Sequence, residues 1–95
     1  MMYPQIIEQE SQLFRALAHP KRLEIISVLH GRELCVGEIV KRVHLPQSNV
    51  SQHLMILRKA HLLCTKKVGQ KMYYHILSPR LLTLTDMMMK GTIGQ

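Results

Sequence analysis

One feature constrains this chain's fold more than any other: a short apolar helix pattern separated from a proline by only two residues. Four branched apolar residues recur at i, i+3, i+4 and i+7, the spacing of one helix face. They are Val36, Ile39, Val40 and Val43. Only His44 and Leu45 separate this pattern from Pro46, which opens a second helical pattern that runs to Ala60. Two short helices joined by so tight a turn are typical of a helix-turn-helix, which we predict over residues 36–60.

Two further helices are predicted before this motif. The first spans residues 4–18 and ends there because Pro20 disfavours a helical conformation in the residue before it. Pro20 also suits the first turn of a second helix. That helix runs to about Leu29, and Gly31 ends it.

A β-hairpin and a last helix are predicted after the motif. Residues 62–77 contain two β-prone runs on either side of Gly69-Gln70, which is typical of a two-residue hairpin turn. Ser78-Pro79 has the character of a helix N-cap and first-turn pair, and it predicts a helix over residues 78–90. Residues 1–95 are therefore predicted to form one mainly α domain with a small β-hairpin. The order of elements is that of a winged helix-turn-helix with an extra dimerisation helix at each end.

Positive charge is concentrated in the second half of the chain. No acidic residue lies between Glu38 and Asp86, and that stretch carries eight Lys or Arg residues. The net charge of the whole chain is +7, and nearly all of it lies in this half. Because no acid interrupts the basic residues, the pattern favours a polyanionic partner over an ordinary solvated surface.

The helix predicted over residues 46–60 has the two faces that a DNA-reading helix needs. Val50, Leu54 and Leu57 lie on one side and are assigned to the core, and His53 on its flank is predicted to be packed and hydrogen-bonded. Small polar and amide side chains lie opposite, where they suit base edges, while the basic hairpin suits phosphates. The predicted DNA-binding residues are Gln47, Ser48, Ser51, Gln52, Met55, Arg58, Lys59, Lys66, Lys67, Gln70 and Lys71. Base readout is assigned chiefly to Ser48, Ser51 and Gln52.

The two terminal helices are more apolar than a monomer of this size needs. The last helix is apolar around much of its circumference, and a small domain core cannot cover all of it. A homodimer interface built from the first and last helices would bury this surface. Met87, Met88 and Met89 are assigned to that interface rather than to a metal or ligand site.

The chain lacks the features of several other classes of protein. Its start does not resemble a signal peptide, no run of about 18 apolar residues exists, and two cysteines are too few for a disulfide framework. These features predict a soluble, cytoplasmic protein with no membrane partner. No Ser-His-Asp, Cys-His or paired-carboxylate arrangement can be argued from the sequence, so neither an enzyme nor a cofactor is expected.

Residues 11–80 resemble the ArsR/SmtB family of bacterial winged-helix repressors. The resemblance is carried by FRALAHPKRLEII at residues 14–26, ELCVGEI at 33–39, QSNVSQHLMILRKA at 47–60 and the hairpin that ends in Tyr74. It implies a homodimer that represses transcription from an inverted-repeat operator and is released by an inducer. Many members of the family sense a metal ion or metalloid, others sense a reactive sulfur species or an oxidant, and some have no known inducer. The alternatives are a non-specific architectural DNA-binding protein and a winged-helix module for protein contacts.

The sensing sites of that family are incomplete in this chain. The arsenic and cadmium type has two cysteines flanking one residue, and Gly37 stands where the second would follow Cys35. The zinc and nickel type has Asp and His on the last helix, where Asp86 is followed two positions on by Met88. No metal site is therefore predicted, although metal sensing at a non-standard dimer site stays an alternative. Sulfur-sensing members resemble the chain at Cys35, and Cys64 is its candidate partner in a thiol switch. The other alternative is that both are small buried side chains.

Overall fold

The computed structural model describes Met1 and residues 3–91. Residue 2 and residues 92–95 of the predicted domain lie outside this described part. In chain order the elements are α1 (Pro4–Leu17), α2 (Pro20–Leu29), β1 (Leu34–Cys35), α3 (Val36–Val43), α4 (Gln47–Lys59), β2 (Leu63–Val68), β3 (Lys71–Ile76) and α5 (Pro79–Met89). The predicted fold class, a mainly α winged helix-turn-helix with a β-hairpin, is confirmed.

Prolines and capping side chains explain where two of the helices begin. α2 and α5 each have a proline in the first turn. Proline lacks a backbone N–H, and in the first turn this group would have no acceptor within the helix. The backbone N–H of Lys21 donates to Nδ1 of His19 at 3.0 Å. At the start of α5 the backbone N–H of Leu81 donates to Oγ of Ser78 at 3.4 Å. Each contact satisfies a donor that the helix itself leaves without a partner.

The turn between α3 and α4 contains a residue in the left-handed conformation. His44 has a φ of 55°, and its backbone N–H donates to the carbonyl oxygen of Val40 at 3.0 Å, which ends α3. Pro46 lies at the N-cap of α4 with an extended backbone, one residue before the helix that it was predicted to open. α4 therefore begins at Gln47, and the predicted tight connection between the two helices is present.

β1 is a strand that the sequence analysis did not predict. It is two residues long, and it pairs antiparallel with β3 through Leu34 opposite Tyr74 and Cys35 opposite Tyr73. Two residues are too few to show the alternation by which a strand is recognised. The sheet order is β1-β3-β2, so β3 lies in the centre. Gly69 has a φ of 63°, which fits the first position of a two-residue hairpin turn.

The core fixes which face of α4 is left to solvent. Val50, Leu54 and Leu57 are each 0% exposed, which confirms the side of this helix assigned to the core. α5 packs on the same core through its first turns, and Oγ1 of the buried Thr85 lies 2.9 Å from Nδ1 of His30 on the connection after α2. Because one side of α4 is held in the core, its opposite side must face outward.

Candidate nucleic-acid interface

The outward face of α4 carries the side chains predicted to read bases. Gln47, Ser48, Ser51, Gln52 and Met55 are all exposed. The basic residues near the end of the helix, Arg58 and Lys59, are exposed as well. Within the described part of the chain, no side-chain hydrogen bond engages the hydroxyl of Ser51 or the amide of Gln52. Their donors and acceptors are therefore available to a partner.

A groove lies between α4 and the central strand of the sheet. Its lining includes Ser51, Met55, Arg58 and Lys59 from α4, together with Tyr74 from β3. Tyr74 also packs against the core, so its position beside α4 is fixed. Two predicted base-contacting residues, Ser51 and Met55, and two predicted phosphate-binding residues, Arg58 and Lys59, thus border the same groove.

The β2–β3 hairpin, called the wing below, presents positive charge at its tip. Lys66, Lys67, Gln70 and Lys71 are exposed, and Val68 pairs with Lys71 directly beside the turn. The wing contains no acidic residue. Its charge is therefore not neutralised from within the wing, which suits contacts with phosphates.

Ion pairs in the described part of the chain form away from this surface. They join Lys21 to Glu24, Arg80 to Glu10, and Lys90 to Asp86. Arg80 belongs to the acid-free stretch, but its Nη1 and Nη2 donate to the two carboxylate oxygens of Glu10 at 3.0 and 2.7 Å. This contact joins α5 to α1 and lowers the pKa of the Glu10 carboxyl. Because Arg80 is paired with Glu10, we do not assign it to phosphate binding.

His53 lies on the flank of the buried side of α4, where it connects this helix to α2. Nε of Arg22 donates to Nδ1 of His53 at 3.3 Å, and Nη1 of Arg22 donates to the carbonyl oxygen of Ala16 at 3.0 Å. The centroids of the His53 and His19 rings are 4.6 Å apart. Burial lowers the pKa of His53, and the neighbouring His19 and Arg22 lower it further. The prediction of a packed, hydrogen-bonded histidine is confirmed.

The lowered pKa of His53 should make stability depend on pH. As pH falls below the ordinary value of 6.5, the unfolded chain binds a proton at His53 more readily than the folded protein. The free energy of unfolding should therefore fall there, and His53→Asn should flatten the fall because asparagine keeps an acceptor for Arg22 but does not titrate. Urea unfolding between about pH 7 and about pH 5.5 measures this, with the exposed His61 changed to Asn as control. If the free energy of unfolding of the His53→Asn protein falls with pH as steeply as that of the wild type, His53 is not the group responsible.

The structure does not bring the two thiols of the predicted switch together. Cys35 lies on β1 and Cys64 on β2, with β3 between them. Two strand spacings separate their backbones by about 9.5 Å or more. Cα atoms joined by a disulfide lie within about 7 Å of each other. A disulfide between these two thiols inside one folded chain, which the sequence left open, does not fit this strand order, and both thiols are free and half-buried.

Cys64 instead lies beside a histidine that in turn contacts a glutamate, an arrangement that was not predicted from the sequence. His75 pairs with Cys64 across the hairpin, and its Nε2 lies 2.6 Å from Sγ of Cys64. Oε2 of Glu33 lies 3.4 Å from Nδ1 of the same ring. The Cys-His pair can be found by counting outward from the Gly69-Gln70 turn, a signal that the sequence contains. Glu33 joins the pair only through the pairing of β1, which the sequence does not reveal.

Two classes of feature are absent from the described residues. None of the helices there is long and apolar enough to cross a lipid bilayer. No group of three or more His, Cys, Asp or Glu side chains in the same residues is arranged to hold a metal ion. Glu33 and Cys64 lie nearest to different ring nitrogens of His75, so the three side chains do not converge on one ion.

Known protein sequences resemble this chain across the helix-turn-helix and beyond it. The family model described as bacterial regulatory protein, arsR family, matches residues 19–63. The transcriptional repressor PagR of Bacillus anthracis is 37% identical over 75 residues, which are 78% of this chain and 75% of that protein. The HTH-type transcriptional repressor SmtB of Mycobacterium tuberculosis is 38% identical over 72 residues, which are 76% of this chain. That match covers 53% of SmtB, so the chain spans about half the length of this relative.

Solved structures show the same architecture over nearly the whole chain. HlyU from Vibrio cholerae superposes with a TM-score of 0.88 at 31% identity, covering 95% of this chain and 98% of HlyU. NolR from Sinorhizobium fredii superposes with a TM-score of 0.84 at 30% identity, covering 97% of this chain and 95% of NolR. The resemblance found in the sequence is thereby confirmed, and the chain belongs to the arsR family of bacterial regulatory proteins.

Proposed function

We propose that this protein is a homodimeric transcriptional repressor that binds a pseudo-palindromic DNA site and is released by a small inducer. The observation that carries the proposal is an exposed small-polar face on α4 beside a wing whose lysines form no ion pair among the described residues. PagR and SmtB, both similar to this chain, are named as transcriptional repressors. We place the protein in the cytoplasm, because the DNA of a bacterial cell lies there.

In this proposal α4 enters the major groove and the wing contacts the backbone. The amide of Gln52 serves adenine with two hydrogen bonds, Met55 meets a thymine methyl, and Ser48 and Ser51 allow close approach to base edges. Phosphate contacts come from the exposed basic and amide residues of α4 and of the wing. These are Gln47, Arg58, Lys59, Lys66, Lys67, Gln70 and Lys71.

The terminal helices α1 and α5 are proposed to form the dimer interface. Their exposed apolar side chains include Ile6, Ile7, Phe14, Leu82, Met87, Met88 and Met89. An apolar groove between the two helices is lined in part by Leu13, Phe14, Leu84 and Met87, and a second copy would bury it. Two-fold symmetry would then place the two α4 helices in successive major grooves, about 34 Å apart.

A thiol-reactive compound is the inducer class that we propose. The family resemblance implies either this class or a metal ion. Both Cys35 and Cys64 are free and half-buried, so each offers a thiol that a small molecule can approach.

Gln52→Ala tests the proposed reading of bases. Loss of a bidentate contact costs about 1–3 kcal/mol of discrimination. We therefore expect the affinity ratio between the operator and a duplex altered at the contacted base pair to fall by about 5- to 150-fold. Fluorescence anisotropy titrations with both duplexes measure this ratio. Gln12→Ala, an exposed glutamine on α1, is the matched control and should leave the ratio unchanged.

The same titrations distinguish specific from non-specific binding. If Gln52→Ala weakens binding to both duplexes equally, Gln52 is a phosphate contact and its assignment as a base reader is wrong. If the wild-type protein itself binds both duplexes equally, the alternative of an architectural DNA-binding protein is favoured.

A further inference from the structure

Three titratable side chains lie in a row across the sheet. Leu34 pairs with Tyr74 in antiparallel register, so Glu33, one residue before Leu34, lies opposite His75. On the other side of β3, His75 pairs with Cys64. The register of the whole sheet, and not one side-chain position, therefore places Glu33, His75 and Cys64 side by side.

This row is on the face of the sheet that points away from the core. Leu63 and Ile76 form the next pair along the hairpin, and both are buried. Because successive strand residues point to opposite faces, Cys64 and His75 point outward. The side chains of His75 and Glu33 are 35% and 47% exposed, and Cys64 is half-buried. A small molecule can therefore reach the row from solvent.

The contacts give each member of the row a distinct role. Sγ of Cys64 lies 2.6 Å from Nε2 of His75 and 3.7 Å from Nδ1, so Nε2 is the nitrogen that faces the thiol. Oε2 of Glu33 lies 3.4 Å from Nδ1. A carboxylate beside Nδ1 favours the tautomer with the proton on that nitrogen, which leaves Nε2 free to accept a proton. A thiol, a base and a group that orients the base are the parts of an activated nucleophile.

Cys35 has no comparable neighbour among the described residues. It lies at the N-cap of α3, where its backbone N–H donates to Oε1 of Glu38 at 3.0 Å and its thiol also hydrogen-bonds that carboxylate. A carboxylate is a much weaker base than an imidazole. The two cysteines therefore differ in the base that can take the thiol proton, and Cys64 has the stronger one.

We propose that Cys64 is a modification site for low-molecular-weight disulfides, with His75 as the base and Glu33 as the residue that positions the imidazole. The thiol proton passes to Nε2 of His75 as Sγ attacks one sulfur of the disulfide. A bond forms between Sγ and that sulfur, and the original sulfur–sulfur bond breaks. The second half leaves as a thiolate and takes the proton from His75, so it departs as a thiol. Cys64 is oxidised to a mixed disulfide, and the small disulfide is the oxidant.

A consequence for regulation rests on the proposed function. Lys66 is two residues from Cys64 and lies on the same outer face of β2, so an adduct at Cys64 lies beside the base of the wing. A glutathione adduct adds bulk and net negative charge next to a phosphate-binding lysine. Modification at Cys64 therefore weakens DNA binding.

The chemistry is tested by the rate of reaction with 4,4′-dithiodipyridine at neutral pH, followed by release of thiopyridone. Cys35→Ser should keep the faster phase of the wild type, and Cys64→Ser should lose it. In the Cys35→Ser protein, adding His75→Gln should slow the reaction of Cys64 by about tenfold, since the base is lost. The same proteins in urea provide the reference rate of an unfolded thiol, and a His75 variant that fails to fold would react at that rate. A faster phase that belongs to Cys35, or a folded His75→Gln protein that reacts as fast as its parent, would overturn the proposal.

The regulatory consequence is measured separately. The Cys35→Ser protein is converted to its glutathione mixed disulfide at Cys64, and its affinity for DNA is compared before and after treatment, with Cys64→Ser treated in the same way. We expect at least about a tenfold loss only where Cys64 is modified, because a negative adduct opposes phosphate contacts. Equal affinity after modification would overturn the regulatory link and leave the thiol chemistry in place. Failure of the untreated protein to bind DNA would instead contradict the proposed function.

Discussion

Replacing Lys67 and Lys71 together with glutamine should weaken binding to every duplex by about 10²-fold at about 50 mM salt. Each phosphate contact adds about 0.9 to the slope of log affinity against log salt, so the slope should fall by about two units. Both side chains are exposed on the wing and form no ion pair among the described residues. The loss should be uniform across sequences, because phosphates carry no base identity.

Titrations over a range of salt concentrations measure this effect. The matched control is Arg32→Gln with Lys90→Gln, which removes the same charge from exposed residues outside α4 and the wing. The control should change affinity little and leave the slope nearly unchanged. An equal effect of the two double variants would show that net charge, and not the wing, governs binding.

Replacing Phe14 with glutamate should shift the protein from dimer to monomer. Phe14 is 56% exposed on α1 and lines the apolar groove between α1 and α5. A buried charge at the centre of an interface costs at least about 2 kcal/mol, so the dimer dissociation constant should rise by about 30-fold or more. Sedimentation equilibrium measures this constant, and affinity for a two-half-site duplex should fall with it.

Met72→Glu is the control for the dimer prediction. Met72 is 38% exposed on the wing, away from α1 and α5. The Met72→Glu substitution should leave the dimer intact. It should weaken DNA binding, because it adds negative charge beside the wing lysines. A Phe14→Glu protein that dimerises as tightly as the wild type would show that α1 does not form the interface.

The helix-turn-helix and the face of α4 could be predicted because their signals are local. The spacing from Val36 to Val43 and the tight connection to Pro46 leave few alternatives for two adjacent short helices. Helical periodicity then separates Val50, Leu54 and Leu57 from the polar face, and the structure buries all three. Gly69 positions the hairpin turn, because its φ of 63° is a conformation that glycine adopts without strain.

The features that could not be predicted depend on contacts between distant parts of the chain. β1 is defined only by its pairing with β3, so its two residues carry no pattern of their own. The contact between Glu10 and Arg80 joins residues 70 positions apart. The position of β3 between β1 and β2 also separates Cys35 from Cys64, although the sequence left their pairing open. None of these contacts between distant residues can be predicted from the spacing of residues along the sequence.

Sequence-specific DNA binding by the proposed dimer can be measured on the wild-type protein. The affinity of the wild-type protein is measured at about 150 mM salt for the DNA upstream of its own coding sequence and for a scrambled duplex of equal length and composition. We expect at least about 10³-fold tighter binding to the first duplex, since specific binders exceed their own non-specific affinity by that factor or more. Equal affinity for the two duplexes would contradict sequence-specific binding.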